Sequence, residues 1–393
     1  MIDFNFDFRD VFRAARLGLS SKKMWVMLIS LLSIHVIYFV FGYMALLLCD
    51  FSLAEIWHSF GLFPLAVVDQ FSWLSWMAYL LGIVTCLIVY LFASTVVGRI
   101  TYRQLRDDDF CTVGEAIRFT ARHWKAALVS PFSYVLIVAF FAFCGLILGL
   151  VARIPWIGEL GFSVFLVPVV FVAAFVALIG VATVLSFALG PAIVASTGED
   201  TMETCIQSFS TLWSQPWRVV AYEALLKIMT AIATGIFGFF VFAALLLVYW
   251  ICGIFMGPKL ANIASVAIHY LPTCPFFQGI PRCLSIFQAD SWLPVLPVTQ
   301  TMGTTGQIAA VICGLSLVVI MWVPVSYAWS TLAAGQTIIY AILRKKKDDD
   351  NLLERTEEEL GDASCEESAS PDPENGDQGI PPGEGPPEQA GAE

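Results

Sequence analysis

The sequence predicts an all-α, polytopic membrane protein with six transmembrane helices. The chain has 393 residues, of which 58% are hydrophobic and only 13% are charged, and its mean hydropathy is +0.77. Soluble domains carry about 25% charged residues, so this composition excludes an ordinary soluble globule. Six apolar segments reach the roughly 20 residues that a helix needs to cross hydrocarbon. They lie at about 24–49, 72–98, 126–151, 163–190, 228–252 and 307–343.

The basic residues predict the orientation of these spans. Of the 20 Lys and Arg residues in 1–347, 17 flank the spans on one side and three on the other. Because cytoplasmic segments are enriched in Lys and Arg, this asymmetry places both termini in the cytoplasm. The first apolar run, at 24–49, is longer than the core of a signal peptide, which has about 7–15 residues. We therefore expect it to be retained as a span.

Two stretches that precede the third and fifth spans share one pattern. A shift of 89 residues aligns 113–124 with 202–213. At helical spacing each stretch places its shared residues on one stripe, which predicts amphipathic helices at about 112–125 and 201–214. Thr112 and Glu115 also have the spacing of a capping box at a helix start. The stripes are Val113, Ile117, Thr120 and Trp124 in the first, and Met202, Ile206, Phe209 and Trp213 in the second.

A third amphipathic helix is predicted at about 8–20, before the first span. Its apolar face holds Phe8, Phe12, Ala15 and Leu19. Each of the three helices is suited to lie in the cytoplasmic membrane interface. The predicted unit is thus one interfacial helix plus two spans, used three times. Because all three units begin on the same side, they are parallel rather than inverted repeats.

The polar faces of the first two interfacial helices carry clustered cations. We expect them to contact anionic lipid headgroups, at about 1 kcal/mol for each cation near the surface. The residues are Arg9, Arg13, Arg16, Arg118, Arg122 and Lys125.

The composition changes after Lys347. The membrane domain is predicted to span 1–347, and 348–393 contains 16 acidic residues and one basic residue. From Gly361 onward Pro, Gly and acidic residues replace the apolar residues that a core requires. We therefore predict a disordered, acidic cytoplasmic tail that is suited to a basic protein partner.

No motif predicts catalysis, a metal, a cofactor or nucleic-acid binding. P-loop, HExxH and GxSxG patterns are absent from the sequence. In the link at 253–306, which either caps the outer face or re-enters the membrane, Cys274 and Cys283 could form a disulfide. Gly145 and Gly149 form a GxxxG motif, which predicts close helix packing.

The segments 190–194, 198–209 and 213–218 carry a resemblance to a known group of proteins. Their Gly-Pro span end, short helix and aromatic-rich turn are similar to uncharacterised bacterial six-span inner-membrane proteins, which include the membrane domain found beside glycerophosphodiesterases. The resemblance covers about 110–250 and implies a bacterial plasma membrane. The chain departs from that pattern in its few cations at 201–217 and in its acidic tail. It contains no phosphodiesterase domain, so the resemblance implies no activity.

Two functions remain open at this level. The preferred hypothesis is a non-enzymatic membrane scaffold or accessory subunit that organises lipid or a protein complex. The alternative is a permease-like carrier or lipid conduit for an uncharged or amphipathic substrate.

Overall fold

The computed structural model describes residues 6–60, 64, 72–108, 110–269, 303–349 and 351–354, and these residues form helices and no strand. The chain divides into two units, Met1–Arg355 and Thr356–Glu393. The second unit lies outside the described residues, and so does most of the predicted tail at 348–393, of which 348–349 and 351–354 are described. The helices are α1 (Phe8–Val11), α2 (Arg13–Gly18), α3 (Ser21–Leu47), α4 (Leu53–Phe60), α5 (Trp73–Leu105), α6 (Val113–Arg122), α7 (Trp124–Ala152), α8 (Ile157–Thr197), α9 (Thr201–Ser214), α10 (Pro216–Met256), α11 (Pro258–His269) and α12 (Thr304–Asp348).

Six of these helices are long and apolar enough to cross a membrane, which confirms the all-α, six-span prediction. They are α3, α5, α7, α8, α10 and α12. Several continue past the apolar run that predicts them, and α10 begins at Pro216 rather than near 228. Hydropathy locates only the part of a helix suited to lipid, whereas the polar and aromatic residues at its end can continue the same helix. Pro191 lies inside α8, which ends only at Thr197.

Three parallel spans form the centre of the bundle. α5, α8 and α12 contact one another, and they pair in hairpins with α3, α7 and α10 respectively. The segments 93–102, 189–197 and 333–343 are buried on all sides, as expected of helices surrounded by other helices. Gly98 permits this close approach, since a Cβ there would lie 2.9 Å from Ala195 Cβ and 3.2 Å from Thr337 Oγ1.

Each short helix before a hairpin packs against the last span of another hairpin. α6 packs against α5, α9 against α8, and α2 against α12. A cyclic arrangement of three parallel repeats would give this pairing. The repeat itself stays a prediction.

Short helices also occur in two links where the sequence predicts no helix. α4 packs on the end of α3, where Ile56 is buried with Tyr43 and Leu46. Gly257 has a positive φ of 50°, which turns the chain from α10 into α11, and α11 packs against α12. The rest of that link, 270–302, lies outside the described residues, and so does the predicted disulfide Cys274–Cys283.

Candidate functional site at the basic end of the bundle

One end of the bundle collects the basic side chains. We call it the basic end: α3, α7 and α10 begin there, and α5, α8 and α12 end there. Of the basic residues that the structure describes, all except Arg153 and Lys259 lie at or near this end. The three short helices α2, α6 and α9 lie there too. The basic end therefore brings together the predicted headgroup-contact residues.

Helix α9 exposes most of its apolar stripe and buries much of its polar face, whereas Phe209 of the stripe is half-buried and packs against the core. Met202, Ile206 and Trp213 are 75%, 57% and 67% exposed. On the inner side Thr204, Gln207, Ser208, Thr211 and Leu212 are buried. A helix on the surface of a soluble protein has the opposite arrangement, with its apolar stripe facing the core. The position of α9 follows from Gly198, whose φ of 71° ends α8 and reverses the chain.

Helix α6 divides the residues of its predicted stripe between two environments. Ile117 and Trp124 are 43% and 48% exposed, whereas Thr120 is fully buried and donates a hydrogen bond to Ala116 O at 2.9 Å. The start of α6 has the predicted capping box, in which Thr112 Oγ1 accepts a hydrogen bond from the Glu115 amide at 3.3 Å. The predicted contact residues on this helix and beside it are all exposed: Arg118, Arg122 and Lys125.

The predicted first helix is two short helices, α1 and α2. Phe8, Phe12 and Leu19 of the predicted apolar face are exposed, and Ala15 is half-buried. Arg9 and Arg16 are exposed, whereas Arg13 is half-buried and places its Nε 3.4 Å from Asp10 Oδ1. On the inner side Val11, Ala14 and Gly18 are buried.

Two buried cations connect the short helices and links of the basic end to the spans. Lys23 is fully buried, and its Nζ donates hydrogen bonds to Leu17 O at 3.1 Å and to Gln104 Oε1 at 2.8 Å. Arg99 donates to Ala195 O at 3.1 Å, and its guanidinium carbon lies 3.9 Å from the centre of the Phe119 ring. In the sequence both residues indicate only the topology of the spans. Their contacts indicate that they also stabilise the helix arrangement, because a buried cation requires hydrogen-bond partners.

A polar cluster joins α9 to α12. Gln207 accepts hydrogen bonds on Oε1 from the Tyr340 hydroxyl and from Arg344, the latter at 2.9 Å. Its amide nitrogen donates to Glu199 and, at 3.0 Å, to Glu203. Arg344 also lies 3.6 Å from Glu199 Oε1. The sequence does not predict this cluster, because Gln207 and Tyr340 are 133 residues apart and belong to no motif.

A pocket of about 120 Å³ borders this cluster, and we call it the α9–α12 pocket. Besides parts of Gln207, Tyr340 and Arg344, it contacts Glu203 and Ile206 of α9 and the end of α12 at Lys347 and Asp348. Ile206 belongs to the exposed apolar stripe. The pocket therefore lies where the polar cluster meets that stripe.

The end of α12 and the residues after it close the basic end. Lys346 Nζ lies 3.3 Å from Asp7 Oδ1 and 3.3 Å from the Tyr222 hydroxyl. Leu352 is buried, and its carbonyl accepts a hydrogen bond from the Tyr102 hydroxyl at 2.8 Å. This hydrogen bond therefore holds the start of the acidic segment, at Leu352, against α5.

A second pocket, of about 300 Å³, lies between the start of α3 and the link after α5. Lys22, Gln104, Asp108 and Cys111 are among its lining residues. Burial raises the pKa of the Cys111 thiol, and the negative charge of Glu115 contributes in the same direction. In the part of the chain that the structure describes, no group of three His, Cys, Asp or Glu side chains could hold a metal ion.

Comparison of the chain with protein-family models, curated proteins and solved structures found no match. The resemblance to the bacterial six-span proteins therefore stays a prediction.

Proposed function

We propose that this chain is a non-enzymatic, multi-pass membrane scaffold or accessory subunit that organises lipid at one leaflet. The observation that carries the proposal is the orientation of the three short helices at the basic end. Large apolar side chains on and beside them face outward, and most of the residues that they bury are polar or small. Exposed arginines lie beside these apolar side chains on α1, α2 and α6. Amphipathic helices that lie in a bilayer interface have these features.

The free energy of the exposed stripe supports a membrane location for α9. Complete transfer of a large apolar side chain out of water contributes about 1.5–3 kcal/mol. Met202, Ile206 and Trp213 are each more than half exposed, so acyl chains would cover most of their surface if α9 lay in the interface. Trp213 is near the turn into α10, at the depth where tryptophan side chains are enriched in membrane proteins.

Anionic lipid should gather at the basic end. Each Lys or Arg near a negatively charged surface contributes about 1 kcal/mol. Arg118 and Arg122 are exposed on the side of α6 away from its buried residues, and Lys125 is exposed at the start of α7. Together they should contribute about 3 kcal/mol, which corresponds to about a hundredfold in lipid affinity.

The test measures which lipids stay bound to the purified protein. The variant Arg118→Gln/Arg122→Gln/Lys125→Gln should retain far less phosphatidylglycerol or cardiolipin than the parent, as measured by native mass spectrometry after mild detergent extraction. The matched control is Arg153→Gln/Lys259→Gln, since both residues are exposed and lie away from the basic end. Equal loss in the two variants would refute lipid organisation at this end.

Further parts of the proposal concern location and partner. We place the protein in a bacterial plasma membrane with both termini in the cytoplasm, on the strength of the basic asymmetry and the resemblance. The acidic segment after Lys347 is proposed to bind a basic protein. Truncation after Arg355 should then remove that partner from the purified complex and leave the fold of Met1–Arg355 intact. Retention of every partner would contradict this part.

A second candidate, a carrier or lipid conduit for an uncharged or amphipathic substrate, is favoured by polar atoms along α10. Glu223 Oε1, Thr230 Oγ1 and Thr234 Oγ1 are buried and have no hydrogen-bond partner within the described residues. Polar groups inside a membrane bundle are costly unless water or a substrate meets them. Flux through proteoliposomes that Glu223→Gln abolishes would favour the carrier over the scaffold, whereas absence of lipid and solute flux would contradict it.

A further inference from the structure

The α9–α12 pocket contains charges of both signs at the edge of an apolar surface. Arg344 and Lys347 supply positive charge, and Glu203 and Asp348 supply negative charge, so the formal charges of the lining balance. Ile206 lines the same pocket and is 57% exposed on the outer stripe of α9. A ligand there would have a polar group in contact with ions and an apolar part along the stripe.

The inner wall of this pocket is preorganised. Arg344 is held by Gln207 at 2.9 Å, by the Tyr340 hydroxyl at 2.8 Å and by Glu199 at 3.6 Å. These contacts fix the guanidinium before any ligand binds, which reduces the entropy cost of binding. At the rim Lys347 Nζ lies 3.6 Å from Asp348 Oδ2, and this partly exposed pair is weak enough for a ligand to compete with it.

Glu203 is the acidic group suited to a ligand cation. Its Oε1 accepts one hydrogen bond from Gln207, at 3.0 Å, and the side chain lies on an exposed part of α9. A carboxylate can accept about four hydrogen bonds, so the Glu203 carboxylate can also accept from a primary ammonium. A trimethylammonium has no N–H to donate.

The pocket volume restricts the size of the ligand. At about 10–15 Å³ of accessible volume for a water-sized group, 120 Å³ accommodates roughly ten non-hydrogen atoms. A phosphate joined by two carbons to an ammonium has eight non-hydrogen atoms and fits within this volume. The balanced charge of the lining also disfavours a purely anionic headgroup, because such a headgroup has no cation to pair with Glu203.

We propose that the α9–α12 pocket binds the phosphoethanolamine headgroup of a phospholipid. Arg344 and Lys347 bind the phosphate, Glu203 binds the ammonium, and the acyl chains lie along the stripe that contains Ile206. The lipid source rests on the proposed membrane location of α9, and the headgroup chemistry rests on the pocket alone.

The test titrates the delipidated full-length protein in detergent with short-chain phosphatidylethanolamine, phosphatidylcholine and phosphatidylglycerol, and with soluble phosphoethanolamine, by native mass spectrometry. The parent protein should bind phosphatidylethanolamine about tenfold more tightly than the other two lipids. The reason is that only the ethanolamine headgroup has an ammonium that can donate a charge-assisted hydrogen bond to Glu203. Glu203→Gln should remove this preference for the ethanolamine lipid over the choline lipid. Lys347→Gln should weaken all phosphate-containing ligands about tenfold.

The matched control is Lys345→Gln, two positions away on the same helix end and outside the pocket lining. It should bind like the parent protein. Equal binding of the three lipids, or equal effects of Lys345→Gln and Lys347→Gln, would overturn the assignment. Soluble phosphoethanolamine binding as tightly as the lipid would overturn the lipid source.

The pocket assignment and the proposal of lipid organisation can fail independently of each other. If the Arg118, Arg122 and Lys125 variant loses anionic lipid while the pocket shows no ethanolamine preference, only the pocket assignment fails. If that variant retains its lipid while the pocket still selects phosphatidylethanolamine, the scaffold proposal fails and the pocket assignment stands.

Discussion

The contact between α2 and α12 leaves no room for a side chain at Gly18. A Cβ at this position would lie 2.7 Å from Thr331 Cα and 2.9 Å from Thr331 N. These are backbone atoms, so a rotamer change cannot relieve the clash, and α2 must move away from α12. The movement would also stretch two hydrogen bonds, from Ser330 Oγ to Gly18 O at 2.8 Å and from the Tyr327 hydroxyl to Ala15 O at 3.0 Å.

Two opposing effects determine the sign of Gly18→Ala. Helix propensity alone favours alanine over glycine by up to about 1 kcal/mol. Overpacking in a well-packed contact costs about 1–3 kcal/mol, and each weakened hydrogen bond costs up to about 1 kcal/mol. The net expectation is a loss of about 0–5 kcal/mol in the free energy of unfolding, with the centre of that range near 2–3 kcal/mol.

The assay is reversible unfolding by sodium dodecyl sulfate in mixed micelles, followed by tryptophan fluorescence. The matched control is Gly235→Ala on α10, where an added Cβ meets nothing within 4 Å and the residue is exposed. We expect Gly235→Ala to be neutral or slightly stabilising. If Gly18→Ala were as stable as Gly235→Ala, the inferred packing of α2 against α12 would be wrong.

Three further predictions concern the ends of helices and a thiol at the basic end. Thr112→Ala should destabilise α6 by about 1 kcal/mol because it removes the N-cap oxygen, whereas Thr112→Ser should keep it, as measured by the same unfolding assay. Tyr102→Phe should release the segment around Leu352 at a cost of about 0.5–1.5 kcal/mol, which is the usual contribution of one hydrogen bond. Faster trypsin cleavage at Lys345–Lys347 would reveal that release, and an unchanged cleavage rate would contradict the anchor. Cys111 should react with iodoacetamide along a pH profile whose midpoint lies above that of a free thiol, because burial raises its pKa and the thiolate forms only at higher pH. A midpoint at or below that of a free thiol would contradict its burial.

Hydropathy predicts the six spans well because lipid imposes a minimum apolar length on every crossing helix. However, because a span is apolar on all sides, its hydropathy does not show which face contacts the neighbouring helices. Gly145 and Gly149 form a GxxxG motif in an almost wholly apolar helix, yet a Cβ at either would meet nothing within 4 Å. The prediction of close packing there is therefore not met within the described residues. Gly18 and Gly98 mark two of the close contacts between helices, and neither belongs to such a motif.

The sequence does not predict the polar cluster between α9 and α12, for a related reason. In the sequence Gln207 is one polar residue on a predicted amphipathic helix, and Tyr340 and Arg344 lie at the end of a predicted span. Only the packing of α9 near the end of α12 brings them together, because no local spacing encodes a contact across 133 residues. The amphipathic stripes were predicted from the sequence, since their periodicity is local. The burial of Thr120 could not be predicted in this way. A polar residue is expected to face water, but the Thr120 hydroxyl donates a hydrogen bond to the Ala116 carbonyl on the preceding turn of α6.

The central claim is that the outward stripes of the short helices lie in the membrane interface. The most direct measurement is the accessibility of spin labels in lipid nanodiscs, introduced one at a time at positions 117 and 206 in a background without the ten native cysteines. A label at position 118 is the matched control on the polar side of α6. We predict that oxygen dissolved in the bilayer relaxes the labels at 117 and 206, and that a water-soluble nickel complex relaxes the label at 118. Nickel accessibility at all three positions would contradict the membrane-interface account.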